Sequence, residues 1–339
     1  MRIVLDAMGS DTSPDPEVIA AAEAVRLFGD ELYLVGPVEQ LKPRLQSTHA
    51  DMKKIFLVDA PDTITMEDKG MALVLKAKRP NSKTSMAVGI DLVKNKEADA
   101  FITAGNTGGA MTTAYFRLGT IPGVERPALA APFPVMNGYC IVLDVGANPD
   151  CKPEHILQFA IMGSIYSSKA RNISSPRVAI LSNGEESGKG NELVRNANPL
   201  LSSSKLNFIG NVEGKELFGG VADVVVTDGF TGNVLLKSSE AVAKLITDTL
   251  KVQLKANPIY SLGALLAKPA FNKLRALMNP DAVGAAPLLG VNGLVYIGHG
   301  RSNAQALVSA IRVARQAIES NVLEATQAAI QASIAIGNS

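Results

Sequence analysis

The sequence predicts an α/β protein built on a doubly wound, mainly parallel sheet. Three observations carry that expectation. Short aliphatic runs alternate with longer stretches of helical period along 339 residues. The chain is 47% hydrophobic, has no Trp and is poor in aromatics, so Val, Ile, Leu and Ala must form the core, as in buried parallel strands and their covering helices. Run after run also ends in a small, polar, glycine-bearing segment, the position where doubly wound sheets bind ligands.

Strands are expected at residues 3–5, 32–35, 55–58, 100–103, 139–143, 178–181, 207–209, 224–226 and 294–297. Helices are expected at 17–28, 110–118, 154–169 and 232–251, with a long Ala-rich packing helix at 302–336 broken near Ser320-Asn321. No fixed-period repeat, low-complexity tract or long linker interrupts the pattern. The chain reads as one unit over 1–339.

A formal net charge of +1 gives no electrostatic footprint for nucleic acid. Cys140 and Cys151 form no metal-type spacing and no disulfide framework, which fits a reducing cytosol. Met1 to Asp6 reads at once as a strand rather than a leader, and no run approaches the roughly 20 apolar residues of a membrane span. The expectation is a cytoplasmic protein.

The strand-end loops are 6–11, 103–109, 144–148, 182–186, 211–214, 227–233 and 298–303, all expected at one sheet edge. Two of them, 105–109 and 227–233, have the strand–glycine loop–helix form that presents free N–H groups to an anion. Thr107, Thr231 and Asn233 can add side-chain hydrogen bonds, with Lys237 one turn further on. Residues 184–190 look like a P-loop but have three residues between the glycines, not four, and Gly190 where Ser or Thr should stand. The first strand lacks a G-x-G-x-x-G, and there is no G-x-S-x-G nucleophile elbow. His49 and His155 read as structural or solvated. His299, between two glycines and beside Arg301 and Ser302, reads as functional, because Arg grips phosphate and imidazole can serve an oxyanion or a leaving group. No metal-ligand spacing is present.

Together the loops closely resemble the PlsX family of bacterial phosphate acyltransferases. The resemblance rests on Leu5-Asp6-Ala7-Met8-Gly9, Ala104-Gly105-Asn106-Thr107-Gly108, Leu143-Asp144-Val145-Gly146-Ala147-Asn148, Phe208-Ile209-Gly210-Asn211-Val212-Glu213-Gly214, Thr227-Asp228-Gly229-Phe230-Thr231-Gly232-Asn233, Pro287-Leu288-Leu289-Gly290-Val291-Asn292-Gly293 and His299-Gly300-Arg301-Ser302-Asn303-Ala304. These run in order along nearly the whole chain. Ser10 and Gly109 depart from the usual Gly and Ala, as do Ser182, Asn183 and the Ser187-Gly188 pair.

The resemblance implies a two-lobed fold like the isocitrate/isopropylmalate dehydrogenases, with the active site in a cleft between lobes, and a homodimer. It implies transfer of a long acyl chain from acyl-acyl carrier protein to inorganic phosphate, giving acyl phosphate for phospholipid synthesis, with no cofactor or metal. The expected catalytic residues are Asn106, Lys189, Asn233 and His299. The expected phosphate and substrate contacts are Gly105, Thr107, Gly108, Asp228, Gly229, Thr231, Gly232, Arg301 and Ser302. Lys189 or Arg301 would help hold phosphate, and Asn106, Asn233 or His299 would stabilise the oxyanion. Asp228 is expected to fix its turn or orient a donor.

Residues 251–280 carry Lys251, Lys255, Lys268, Lys273 and Arg275 but no acidic side chain. Apolar residues including Leu254, Leu262, Leu266, Leu277 and Met278 are interleaved, and Pro258 and Pro269 divide the stretch into short helices. This basic amphipathic tip, with Leu254, Lys255, Leu262, Leu266 and Lys268 as its contacts, is expected to meet an anionic membrane peripherally or the acidic carrier protein. A phosphotransacetylase-like enzyme using acyl-CoA is the alternative. A decarboxylating NAD dehydrogenase of the same fold would need a metal-binding Asp set and an Arg cluster that the sequence lacks.

Overall fold

The computed structural model describes residues 1–136, 138–277 and 284–337, with the side chains of 275–277 and 335–337 not included. Met278 and the side chains of Arg275 and Leu277, counted in the tip above, lie outside the described residues, as does the end of the 251–280 stretch.

Eleven strands form one sheet in the order β3-β2-β1-β4-β11-β10-β5-β6-β9-β7-β8. The first group is β1 (Arg2–Asp6), β2 (Glu31–Gly36), β3 (Ile55–Asp59), β4 (Ala100–Thr103) and β11 (Leu294–Gly298), all mutually parallel. The second is β6 (Gly138–Leu143), β7 (Arg177–Leu181), β8 (Asn207–Val212) and β9 (Val224–Val226), also parallel among themselves. Between them run β10 (Ala285–Leu289) and β5 (Ala128–Val135). β10 is antiparallel to β11 and to β5, and β5 is antiparallel to β6.

That pairing corrects one expectation. Three antiparallel steps separate β11 from β6, so the two parallel groups point in opposite directions. Loops 6–11, 103–109 and 298–303 end strands of one polarity. Loops 144–148, 182–186, 211–214 and 227–233 end strands of the other. The seven loops do not share one sheet edge.

β5 and β10 went unpredicted because proline marks them. Pro132 and Pro134 are two residues apart, so their missing N–H groups point to the same side of β5. The β10 ladder covers only Ala128 and Leu129, so that side carries no further strand where the prolines stand. A proline in a strand is tolerated where no neighbour asks for its donor.

Helices α1 (Asp15–Phe28), α6 (Pro153–Arg171) and α12 (Ala304–Glu319) bury Val18, Phe159 and Ile311 on one face of the sheet. α3 (Gly70–Lys78), α4 (Ser85–Lys94) and α5 (Thr107–Leu118) bury Leu73, Ile90 and Ala114 in a second apolar layer. The Ala-rich C-terminal stretch breaks at Ser320 and Asn321, where Asn321 takes a positive φ, and resumes as α13 (Val322–Gly337). α2 (Val38–Gln46) follows β2, and α7 (Glu192–Ser203) and α8 (Gly214–Gly219) follow β7 and β8.

α9 (Gly229–Lys255) is 27 residues, about 40 Å at 1.5 Å per residue. It packs on β6 only near its start, and its later apolar residues Val242, Leu245, Ile246 and Val252 are more than half exposed. α10 (Pro258–Leu266) has Pro at its first turn, as Pro269 does in α11 (Lys268–Leu277).

Gly232 sits where a Cβ would lie 1.9 Å from the carbonyl oxygen of Asp144, whereas a Cβ on Gly263 in α10 meets nothing within 4 Å. Urea unfolding should therefore show Gly232→Ala destabilised by about 3 kcal/mol through overpacking, while Gly263→Ala is neutral or stabilised by up to about 1 kcal/mol through helix propensity.

Candidate active site

Asp144 leaves β6 into the interior with no solvent exposure. Its Oδ1 accepts from the N–H groups of Leu129 at 3.0 Å, Gly146 at 3.2 Å and Ala147 at 3.0 Å. Its Oδ2 accepts from the N–H of Asn148 at 2.6 Å and from Asn148 Nδ2 at 2.9 Å. Burial pushes the carboxyl pKa up, and the hydrogen bonds act in the opposite sense. The Asn148 carbonyl then accepts from Gly229 N–H at 2.7 Å, fixing the start of α9 against this loop.

The 227–233 loop is consequently occupied with its own structure. Asp228 caps α9, accepting from Thr231 N–H at 2.8 Å and Thr231 Oγ1 at 2.7 Å. Gly232 N–H bonds the Asp228 carbonyl at 3.0 Å. A Cβ on Gly229 would lie 2.7 Å from both the Asn148 carbonyl and Asp144 Oδ2. Gly229 and Gly232 are glycine so that this loop can touch the Asp144 loop. The expected row of amides facing an anion is therefore corrected: of the first-turn N–H groups, those of Gly229, Thr231 and Gly232 are already bonded.

The 103–109 loop differs. Gly105 N–H bonds Thr103 Oγ1 at 2.9 Å, and Gly109 N–H bonds Asn106 Oδ1 at 3.0 Å. The N–H groups of Thr107 and Gly108 have no acceptor among the described residues. Asn106 donates both Nδ2 hydrogens, to the carbonyls of Thr65 at 2.9 Å and Asp68 at 3.1 Å. It pins residues 65–68 over the start of α5 and has no amide hydrogen left for an oxyanion.

Loop 6–11 packs alongside. Buried Asp6 accepts from Met8 N–H at 3.0 Å and Thr103 Oγ1 at 2.7 Å, and burial pushes its pKa up. Asp11 N–H donates to the Gly300 carbonyl at 2.7 Å, which ties the loop to His299, Arg301 and Ser302. Ser302 is buried, whereas Arg301 is exposed and His299 is 44% exposed.

His299 Nε2 lies 3.8 Å from Glu240 Oε1. Glu240 belongs to α9, and Asn233, Lys237 and Glu240 stand at i, i+4 and i+7, one stripe of that helix. Asn233 lies beside Gly146, 3.9 Å from where its Cβ would be. α9 thus carries a polar stripe from the 144–148 loop to the 298–303 loop, about 10 Å along its axis from Asn233 to Glu240. Of the expected catalytic residues, Asn233 and His299 are joined by this stripe. Lys189 is exposed on the 182–190 loop, which is tied through Ser182 to Val212, Glu186 to Asn211, Glu185 to Lys215 and Gly190 to Arg195. Glu240 and the Asp144 hub were missed from sequence; the i+7 spacing from Asn233 was the available signal for Glu240.

Neither cysteine carries the lowered thiol pKa of an activated nucleophile. Burial pushes both thiols up to about 12, with Cys140 in the core and Cys151 beside the Asn148 carbonyl. His155 accepts from Lys152 N–H at 3.1 Å through Nδ1 and meets Glu125 at 3.0 Å through Nε2, a structural role.

Residues 1–325 match the family described as fatty acid synthesis protein. A phosphate acyltransferase of Elusimicrobium minutum is 47% identical over 321 residues, covering 94% of this chain and 93% of the relative. One of Acidobacterium capsulatum is 47% identical over 315 residues, covering 93% and 92%. Among solved structures, a phosphotransacetylase from Streptococcus pyogenes aligns with a TM-score of 0.61 at 17% identity, covering 98% of this chain and 94% of that one. A 4-hydroxythreonine-4-phosphate dehydrogenase from Klebsiella pneumoniae aligns at 0.52 and 14%, covering 94% and 99%. These two share the fold, which is the isocitrate dehydrogenase-like α/β architecture.

Glu17 supplies a test of how loop 6–11 is held. It is fully buried on α1, and its Oε1 accepts from Ser10 N–H at 3.1 Å. Burial raises its pKa to about 7, and Asp6 adds to the rise. An acid with a raised folded pKa is protonated in the fold while already ionised in the unfolded chain, so its contribution is present at low pH and lost as pH rises from about 4.5 to about 7. Denaturation of Glu17→Gln should match wild type near pH 4.5 and exceed it by about 3 kcal/mol above pH 8; parallel curves at both pH values would show no such linkage.

Proposed function

Because the chain belongs to the phosphate acyltransferase family, we propose that it transfers the acyl group of an acyl-acyl carrier protein to inorganic phosphate, giving acyl phosphate for phospholipid synthesis. The observation that carries the assignment to a site is the pair of unbonded N–H groups at Thr107 and Gly108, with Gly105 behind them and the 298–303 loop tethered alongside. A helix start of this kind stabilises an anion. Arg301 adds an exposed guanidinium, and Ser302 N–H closes the turn that follows His299.

The chemistry follows from these positions. A phosphate oxygen attacks the thioester carbonyl carbon, the C–O bond forms, and the C–S bond breaks. The thiolate is a good leaving group, so orientation of phosphate against the carbonyl supplies much of the rate. His299, kept near Glu240, or Asn233 on the same stripe donates to the tetrahedral oxyanion. Asn106 acts as a positioning residue, since its amide hydrogens hold residues 65–68. Asp228, Gly229, Thr231 and Gly232 shape the cleft wall rather than grip phosphate. Lys189 serves best as a rim cation for an acidic carrier. The cleft lies between the two strand groups, which act as lobes of one unit.

The exposed apolar and basic surface of α9, α10 and α11 is assigned to a homodimer contact and to peripheral association with the inner face of the cell membrane. Leu254, Lys255, Leu262, Leu266 and Lys268 lie on it; Leu262 is 60% and Leu266 78% exposed. No helix among the described residues is long and apolar enough to cross a membrane. Phospholipid vesicles of anionic composition should float the wild-type protein and lose Leu262→Glu and Leu266→Glu variants to the pellet; equal flotation would remove the membrane from the assignment.

Incubation with phosphate and long-chain acyl-carrier protein should yield acyl phosphate faster than the acyl-CoA control, and the reverse order would favour a phosphotransacetylase-like enzyme. Thr107→Pro removes one of the two N–H groups at a helix position that accepts proline. It should raise KM for phosphate at least tenfold, the loss of one hydrogen bond to an anion, while Thr107→Val, which keeps the N–H, changes it far less.

A further inference from the structure

An open groove of about 510 Å³ runs from the start of α5 along α3, a volume suited to a small ligand or its chain. Thr107, Gly108 and Thr112 form one wall, and Met66, Leu73 and Val74 form the floor and the other. Leu73 is buried, but Met66 is 42% exposed, and the flanking Met71 and Leu75 of α3 are 72% and 64% exposed. Packing does not account for so much apolar surface beside a polar site.

The groove is continuous with that site. Met66 Cε lies 2.6 Å from where a Cβ on Gly300 would stand, and Asn106 pins the 65–68 segment to the head of α5. Gly108 has no side chain to block the entrance; a Cβ there would lie 3.8 Å from Leu73 Cδ1. Asp68, Lys69 and Asn106 give the lining polar groups, and Met66, Leu73 and Val74 give it an apolar stretch beside Thr112. That apolar stretch offers few partners to the amides of a pantetheine arm, which burial against it would leave unpaired. It suits a hydrocarbon, and methionines adapt to chains of varied length and bend.

We propose that this groove seats the acyl chain of the substrate and sets chain-length preference, with Val74 of α3 and Thr112 of α5, both in its lining, as its gauge. The inference rests on the acyl-transfer reading above. Full-length wild type, Val74→Phe and Thr112→Leu would be assayed with phosphate and a series of short- to long-chain acyl-carrier proteins, folding being checked by circular dichroism. Val74→Phe should lower kcat/KM for long chains about tenfold, the effect of displacing about two methylenes, and leave the short-chain value within about twofold. Thr112→Leu, from the opposite wall, should shift the profile the same way. Equal loss at every chain length, or an unchanged profile in both folded variants, overturns the groove assignment while leaving the acyl-transfer reading intact. Failure of wild type to form acyl phosphate from any of the thioesters overturns that reading and this one with it.

Discussion

The buried carboxylate of Asp144 is the constraint on which the rest of the cleft depends. A carboxylate with no solvent contact is costly unless donors replace its water. Here four backbone N–H groups and one amide do so, and each belongs to a segment that must therefore stay put: Leu129 on β5, the 146–148 turn, and Asn148 itself. Asn148 passes the constraint on through its carbonyl to Gly229, and so to the direction of α9. Removing Cβ at Gly229 and Gly232 is what lets helix and loop come this close.

Fixing α9 matters because the sheet has two polarities. Strands of opposite direction in a flat sheet would end at opposite rims and could not share a substrate. Five strand-to-strand steps separate β4 from β9. At about 20–25° of twist each they accumulate roughly 110°, leaving the two sets of strand directions only about 70° apart. α9 crosses what gap remains, carrying Asn233 beside Gly146 and Glu240 beside His299. The antiparallel pair β10 and β5 is thus the joint of the fold, and the Asp144 loop stands at that joint.

Most strands were legible because buried parallel strands are short aliphatic runs, and α5 and α9 were legible because each follows a glycine-bearing strand end. β5 and β10 were hidden by Pro132, Pro134 and Pro287, whose tolerance depends on which neighbour asks for a donor, a tertiary fact. Strand polarity was hidden for the same reason. The N–H groups of Thr107 and Gly108 have no acceptor among the described residues, whereas the glycines of 229–232, read from the sequence by the same rule, are used in packing. A glycine that approaches a ligand and one that approaches a backbone carbonyl look alike until the neighbour is known. Asn106 shows the same limit: its residue type suits an oxyanion donor, yet its hydrogens are spent on Thr65 and Asp68.

The contrast between the two helix starts bears on which one meets the anion. Both follow glycine-bearing loops, and both are capped by a side chain, Asn106 on α5 and Asp228 on α9. The cap on α9 carries a carboxylate, which already answers the positive end of the helix. A phosphate placed there would meet like charge and a single remaining first-turn N–H, that of Phe230. The cap on α5 is a neutral amide and leaves two donors together. Asp228 and Asn106 therefore leave the two helix starts unlike: the acid closes that of α9 at the joint, and the amide leaves two donors unbonded at that of α5, the one the proposed acyl transfer uses.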